Sequence, residues 1–395
     1  MKKQTKIIRT QSKKTHYREH STPLFLTSSF TFESAEQGKA LFDETEQGNL
    51  YSRFSNPSVQ EFVDKVCMLE DSEDGVATAT GMAAVFASLA ALLQAGDHLL
   101  ASRALFGSSH QIITQILSKW GITHTYLDAT ASEAEWEAAV LPNTKMVYIE
   151  TPSNPGLELV DLAMIGRLCQ KHELIFNVDN CFATPALQTP ADFGADLIVH
   201  SATKFMDGQG RVLGGVVVGK EKYIKHLRFF CRQTGPSMSP FNAWVLSKSL
   251  ETLELRMEKH SSNALRLAQA LEQHPDVKQV NYPFLPSHPQ HALAQQQMSA
   301  GGAVVTIELD GGFERVAAFM KALQIPSLSS NLGDTRTIVT NPFTTTHSKL
   351  KPDEKVALGI TEGLIRISVG LEDVDDLIED FENAVAVSAS LPEKV

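Results

Sequence analysis

The sequence is poor in cysteine. Only Cys67, Cys169, Cys181 and Cys231 occur in 395 residues, and no two form a C-x-x-C pair. That spacing offers neither a disulfide framework nor a thiolate zinc site, and it fits a reducing cytoplasm. Thirteen histidines are present, but none falls in an H-E-x-x-H arrangement, so no metal is expected. Long apolar runs are missing as well. The nearest, Gly81 to Leu93, has the length of a buried helix and contains Ser88, so no membrane span is expected and the chain reads as soluble. The start of the chain lacks the apolar region of a secretory signal. Positive charge is scarce: 35 Lys and Arg against 46 Asp and Glu leave a formal net charge of −11. No global field exists to hold nucleic acid or an anionic membrane. The local exception, Lys2, Lys3, Lys6, Arg9, Lys13, Lys14 and Arg18, reads as a solvated, mobile arm.

What the chain does have is length and apolar content, 43% hydrophobic, enough for a large core and two to three domains. From about residue 60 to 260, short apolar runs alternate with amphipathic stretches, the pattern of a mainly parallel sheet covered by helices on both faces. Strands are expected at Val76–Ala79, His98–Ala101, Thr123–Leu127, Met146–Glu150, Leu174–Val178, Leu197–Val199 and Val212–Val218. Helices are expected at Gly81–Leu93 and from about Ser108 to Trp120, with a third capped by Asp161 that buries Leu162, Ile165 and Leu168. A long amphipathic segment, Ala243–Gln273, leads to a Pro- and His-containing stretch, Tyr282–His291. Beyond it, strands at Ala303–Leu309 and Leu364–Val369 and helices near Phe313–Leu323 and Val374–Val387 predict a smaller α+β domain. The division expected is an N-terminal segment 1–60, a large α/β domain 61–260 and a C-terminal domain 261–395.

Ligands of open α/β sheets collect beyond the carboxyl ends of the strands, where Asp179, Ser201 and Lys204 fall. Lys204, in Asp196-Leu-Ile-Val-His-Ser-Ala-Thr-Lys204, is placed on a loop after a buried strand to form an imine, with the Ser201 and Thr203 hydroxyls beside it to hold a phosphate. Asp179, in Asn177-Val-Asp-Asn180, stands at the tip of the preceding strand, where a buried carboxylate keeps a pyridinium nitrogen protonated. Thr80-Gly-Met-Ala83 joins a strand to a helix, so Gly81 and Met82 offer free backbone N–H groups at the positive end of the helix dipole. Upstream, Arg53 in Tyr51-Ser-Arg53-Phe-Ser-Asn-Pro57 offers a bidentate phosphate contact. An imine-forming lysine, a pyridinium partner and a phosphate cradle together describe a site for pyridoxal 5'-phosphate (PLP).

Over nearly its whole length the chain resembles the Cys/Met-metabolism family of PLP enzymes, of fold type I. The string Asp196 to Gly210 fits the family's lysine motif at every position. The resemblance implies an α/β fold with a seven-stranded, mainly parallel sheet in the large domain and a smaller C-terminal domain. It implies Lys204 as the Schiff-base lysine, Asp179 at the ring nitrogen, and Gly81, Met82, Ser201 and Thr203 at the phosphate. Asn154, in Ser153-Asn-Pro155, resembles the residue beside the cofactor's 3'-oxygen. Tyr51 and Arg53 match a pair that members donate to the phosphate of a neighbouring subunit, which implies a homotetramer built as a dimer of dimers. Arg366, in Arg366-Ile-Ser-Val-Gly-Leu-Glu372, is similar to the arginine that grips a substrate α-carboxylate, a task suited to a planar guanidinium.

Some positions depart from common members. Phe106, in Leu105-Phe-Gly-Ser108, stands where many stack a tyrosine on the cofactor ring. The missing phenol weighs against a cystathionine lyase, because that hydroxyl assists elimination. Methionine γ-lyases are expected to carry Cys where Ser108 stands. Phe106, the stretch Thr234 to Trp244 and Asn331-Leu-Gly-Asp334 look like the branch that converts O-succinylhomoserine and sulfide to homocysteine and succinate in methionine biosynthesis, with Asn331 and Arg366 at the substrate. Cystathionine γ-synthesis, acetylhomoserine sulfhydrylation and γ-elimination remain as alternatives. Asn341, where His is common before Pro342, and Cys181, where Thr is common, leave the fine shape of the substrate pocket open.

Overall fold

The computed structural model describes residues 1–389. Seven strands, β1 (Asp74–Thr78), β2 (His98–Ser102), β3 (Thr123–Leu127), β4 (Thr144–Glu150), β5 (Ile175–Asp179), β6 (Leu197–His200) and β7 (Gly215–Gly219), form one sheet. Their order is β1-β7-β6-β5-β4-β2-β3. Only β7 runs against its neighbours; β2, β3, β4, β5 and β6 pair in parallel. Alternation along the strands feeds two cores. Met146, Tyr148, Ile175, Leu197 and Val199 pack with Ala84, Val85 and Leu89 of the helix Gly81–Ala90. Val147, Ile149, Phe176, Val178 and Ile198 pack on the opposite face with Phe62, Val66, Ile165 and Leu168. Burial on both faces is what a parallel sheet demands, and it explains strands that read as apolar runs.

A second sheet follows, with β8 (Gln279–Asn281), β9 (Val304–Glu308), β10 (Ser327–Leu328), β11 (Ile338–Thr340) and β12 (Leu364–Ser368) in the order β10-β11-β12-β9-β8. Val305, Ile307, Ile365 and Ile367 face the helices Gly312–Ala322 and Val374–Ala389, which contribute Phe319 and Phe381. The helix Leu253–Glu272 runs unbroken through residue 260. Its first part gives Leu253 and Met257 to the core of the large sheet, and its second gives Ala264, Leu267 and Leu271 to that of the small sheet. One rigid element therefore couples the two.

Several local expectations change. The helix expected from Ser108 to Trp120 is three successive turns of different pitch: an α turn (Gly107–Gln111), a π turn (Ile112–Ile116) and a 3-10 turn (Leu117–Trp120). β-Branched residues crowd this stretch, and Thr114 and Ser118 bond back to the carbonyls of His110 and Thr114, both of which disturb a regular ladder. The segment Ala243–Gln273 is broken into Pro240–Leu250 and Leu253–Glu272. At the break the Ser249 carbonyl accepts from the Thr252 N–H and hydroxyl and from the Arg256 guanidinium. The basic N-terminal stretch keeps most of its charges in solvent, as expected, but it is anchored at a few points. Its helix Lys3–Arg9 buries Ile7, Lys3 pairs with Asp71, and Ser12 donates to the Glu61 carboxylate on the helix Pro57–Leu69. Charge composition does not register these few specific anchors. Among the described residues no helix is long and apolar enough to cross a membrane.

Candidate active site

The tips of β4, β5 and β6, the start of the helix Gly81–Ala90 and the small sheet enclose a cavity of about 770 Å³. Gly81, Met82, Phe106, Asn154, Asp179, Ser201, Thr203, Lys204 and Arg366 all line it. Asn331 reaches it through its side chain: Lys204 Nζ donates to Asn331 Oδ1 at 2.6 Å. Tyr51 and Arg53 are not brought in. Both are exposed, and Arg53 donates to the carbonyl of Arg232 and lies over the rings of Tyr51 and Phe54.

At one pole, Thr80 caps the helix, its Oγ1 accepting the Ala83 N–H at 3.1 Å. The N–H groups of Gly81 and Met82 have no protein partner among the described residues. A Cβ on Gly81 would fall 2.5 Å from Ser201 Cβ, so glycine alone admits the close approach that leaves this concavity open. Thr203 is braced on both sides of its hydroxyl, donating to the Gly214 carbonyl and accepting the Gly214 N–H. Free amides at a helix N-terminus beside the Ser201 hydroxyl make an anion cradle of phosphate type.

At the other pole stands Asp179, 8% exposed, its Oδ1 accepting the Cys181 N–H at 3.1 Å. Tyr148 OH approaches Oδ2 at 3.5 Å. Burial pushes the Asp179 carboxyl up to about 6, against the pull of His200 and of its hydrogen-bond donors. A carboxylate raised in this way gains from a cationic N–H partner. Burial also lowers the Lys204 ammonium below the ordinary lysine range; Cys181 opposes this shift and Arg366 adds to it. The Lys204 amine thus sheds its proton more readily than a lysine in water.

Arg366 enters from β12. Ile365 and Ile367 point into the small core, so Arg366 takes the other face, toward the cavity. Its guanidinium donates to Asn154 Oδ1 at 3.1 Å and to the carbonyls of Ser330 and Asn331 at 3.0 Å. It is 2% exposed, has no carboxylate partner among the described residues and keeps an unpaired Nε. Burial lowers it to about 10. A buried cation whose partners are all neutral is a seat for an incoming anion.

Three features were missed in the sequence. Glu150 ends β4 beside Asp179, lines the cavity and accepts the Phe106 N–H at 2.7 Å. Gly333, at φ +82, would set a Cβ 2.6 Å from Phe205 N and 2.7 Å from the Lys204 carbonyl carbon, so it lets the Asn331 loop lie against the lysine's own backbone. Buried Arg256 donates to the carbonyls of Phe205 and Met206, fixing the turn after Lys204. Neither Gly333 nor Arg256 carries a local signal. Asn341 serves as a bracket, donating to the carbonyls of Glu362 and Leu364 and accepting from Thr344. Cys181 does line the cavity, with its Sγ 3.7 Å from the Ser201 carbonyl and burial raising its thiol.

A lysine of lowered basicity between a phosphate-type cradle and a buried carboxylate, at the strand tips of an α/β sheet, defines a pyridoxal-phosphate enzyme of fold type I. Comparison with known proteins narrows the class. The family model described as Cys/Met metabolism PLP-dependent enzyme matches residues 4–386, and the chain belongs to that family. It is 45% identical to an O-succinylhomoserine sulfhydrylase of Pseudomonas aeruginosa, over 97% of this chain and 94% of that protein. It is 42% identical to an L-methionine gamma-lyase of Porphyromonas gingivalis, over 92% of each. Among solved structures it resembles a Campylobacter jejuni chain assigned as O-acetylhomoserine (thiol)-lyase that contains N'-pyridoxyl-lysine-5'-monophosphate. The TM-score is 0.93 at 32% identity, covering 98% of this chain and all of that one. A cystathionine gamma synthase of Xanthomonas oryzae matches with TM-score 0.93 at 34% identity, over 99% of this chain and 100% of the other.

Proposed function

We propose that the chain replaces the succinyl group of O-succinylhomoserine with sulfide, giving homocysteine and succinate. Lys204 is the catalytic residue, and PLP, when bound, supplies an electron sink for charge developing on the substrate carbons. Asp179 would face the ring nitrogen of the bound cofactor, while Gly81, Met82, Ser201 and Thr203 would receive its phosphate. Phe106 would cover the ring face and Asn154 would border the 3'-oxygen. Arg366 grips the substrate α-carboxylate with its fork, and Asn331 holds the Lys204 amine in place. From there Lys204 Nζ takes the proton of the substrate Cα and then one from Cβ before succinate leaves, and after sulfide has added it returns one proton to Cβ and one to Cα. The C–O bond at Cγ breaks with departure of succinate, and the C–S bond to sulfide forms there. The observation that carries this reading over elimination is Phe106: the aromatic wall of the cavity has no phenol to promote loss of product. Likeness to the sulfhydrylases at 45% and 44% identity supports it. The test is product analysis with O-succinyl- and O-acetylhomoserine, each with sulfide or cysteine. Homocysteine from the succinyl ester and sulfide is expected; its absence, or 2-oxobutyrate as the main product, rejects the proposal.

The same reading includes a homotetramer of two active dimers, in which Tyr51 and Arg53 complete the phosphate site of a neighbouring copy. Its support is that the cations lining the cavity, Lys204 and Arg366, are engaged by Asn331 and Asn154, whereas Arg53 lies exposed outside the cavity of its own chain. It also takes 61–260 as the PLP-binding domain, 261–395 as the small domain and 1–60 as the segment that contacts the neighbour, in a cytoplasmic protein. Equilibrium sedimentation and an Arg53→Ala variant test the assembly: a monomeric protein with unaltered cofactor affinity in that variant overturns it.

A further inference from the structure

Glu150 and Asp179 are the last residues of two adjacent parallel strands and are direct partners in register. Side chains alternate along a strand, so Tyr148 and Glu150 share a face with Asn177 and Asp179, the face covered by the helix Gly81–Ala90. Both carboxyls line the cavity, and both are nearly enclosed, at 4% and 8% exposure. Two such groups side by side do not both ionise without a cation between them, and Glu150 has no ion-pair partner among the described residues. Their surroundings divide the roles. Asp179 has the His200 side chain behind it and the Cys181 N–H on one oxygen, which favour its charge. Burial and the neighbouring Asp179 hold the Glu150 carboxyl well above the usual range, only partly offset by the backbone N–H groups of Phe106 and Asn154. The other titratable groups facing this pair are the buried Tyr148 phenol, itself pushed up by burial, the Cys181 thiol, which burial and both carboxyls raise, and the amine of Lys204.

We propose that Glu150 is the positioning residue of this site, an uncharged acid that holds the backbone of Phe106, and with it the aromatic wall, while leaving the single negative charge to Asp179. The N–H of Phe106 lies in the loop that follows β2, and its bond to Glu150 Oε2 spans 44 positions of sequence. Phe106 has no side-chain cap at the short turn it begins. Glu150 therefore adds a long-range hold on the Phe106 N–H to the local bond of its carbonyl with the His110 N–H and to the edge-to-face contact of its ring with His347. The inference rests on family membership and the geometry, and it is independent of which leaving group or nucleophile the enzyme uses.

Glu150→Gln keeps an acceptor oxygen at the same reach and cannot become an anion. Glu150→Asp keeps the acid and withdraws it by one methylene. If Glu150 works as an uncharged acceptor, the Gln variant retains the visible circular dichroism of bound PLP, and its dissociation constant for PLP stays within about threefold of the parent. The Asp variant then loses dichroic intensity and binds PLP about tenfold more weakly, the effect of one buried hydrogen bond. Far-UV dichroism and melting of both ligand-free variants separate this from unfolding, and Gln remains informative if Asp does not fold. The reverse ranking, with Asp like the parent and Gln impaired in cofactor dichroism and affinity, overturns the proposal and makes Glu150 a second anion of the site. Failure of both variants to change either readout overturns it as well.

Discussion

The side-chain nitrogen of Lys204 lies 2.6 Å from Oδ1 of Asn331, a residue 127 positions further on. The loop that brings Asn331 there also offers its carbonyl to Arg366 at 3.0 Å, so the Lys204 amine and the Arg366 guanidinium are located by one piece of backbone. Gly333 makes the arrangement possible by its close approach to the Lys204 backbone.

Replacing Lys204 with Ala is expected to abolish turnover and to leave no borohydride-fixed cofactor, with the melting temperature little changed. Asn331→Ala removes an acceptor that favours the ammonium form, so the amine should lose its proton at still lower pH. The sign follows from the lowered Lys204 value: the folded chain gives up this proton before the unfolded chain does, so Lys204 costs stability at low pH and the cost fades as pH rises toward the ordinary lysine value. The pH dependence of cofactor attachment to the ligand-free chain checks this. A profile unmoved by Asn331→Ala would contradict it.

Gly333→Ala meets both a positive φ and backbone atoms closer than a Cβ tolerates. Destabilisation of about 2–3 kcal/mol is expected from strain and overpacking together. Denaturant titration of the ligand-free protein measures it, and the cofactor affinity should fall in parallel because Lys204 moves with the loop.

The ligand-free chain should lose stability as pH rises through the window set by Asp179. Its carboxyl is raised from the ordinary value of 3.8 to about 6, so between those values the folded state holds a proton that the unfolded state has released. The stability contribution is fully present below the unfolded value and gone above the folded one, about 3 kcal/mol in all for a shift of this size. Asp179→Asn should remove the Asp179 share of the decline, leaving the share of the likewise raised Glu150, while weakening PLP binding. Melting curves from pH 4 to 7, compared between parent and variant, give the difference directly. Parallel curves would show that Asp179 ionises normally.

The parts of this site that the sequence disclosed are those with a local cause. Lys204 follows an apolar strand, Asp179 ends one, and Gly81 joins a strand to a helix, so each is visible within a dozen residues. Glu150 needed one further step, the alignment of two strand ends, because its meaning comes from standing beside Asp179. Arg256 and Gly333 were out of reach: their contacts depend on how the helix Leu253–Glu272 and the Asn331 loop dock. The same holds for Ser12 on Glu61, where an anchored N-terminal segment has the composition of a free one.

Arg366→Lys keeps the charge and loses the fork. The guanidinium already contacts Asn154, Ser330 and Asn331 while presenting its remaining edge, which one ammonium cannot reproduce. The KM for amino-acid substrates should rise by about tenfold or more, the worth of one charge-assisted hydrogen bond, with a smaller fall in kcat. Steady-state kinetics decide it; a fall in kcat at constant KM would assign Arg366 to the chemical step instead.

Phe106→Tyr restores the phenol that the aromatic wall lacks. Phe106 meets His347 edge to face, with centroids 6.3 Å apart, and its N–H stays on Glu150, so the added hydroxyl leaves the backbone anchor intact. An acid at this position promotes elimination, so the variant should divert substrate from homocysteine to 2-oxobutyrate, changing the product ratio by about tenfold or more. Burial and the neighbouring Arg366 hold His347 down at about 4, so across neutral pH its ring stays uncharged and does not reverse the effect by ionising. Measuring both products from one reaction at pH 7 isolates the partition from changes in overall rate. An unchanged ratio would remove Phe106 as a support for the proposed replacement over elimination.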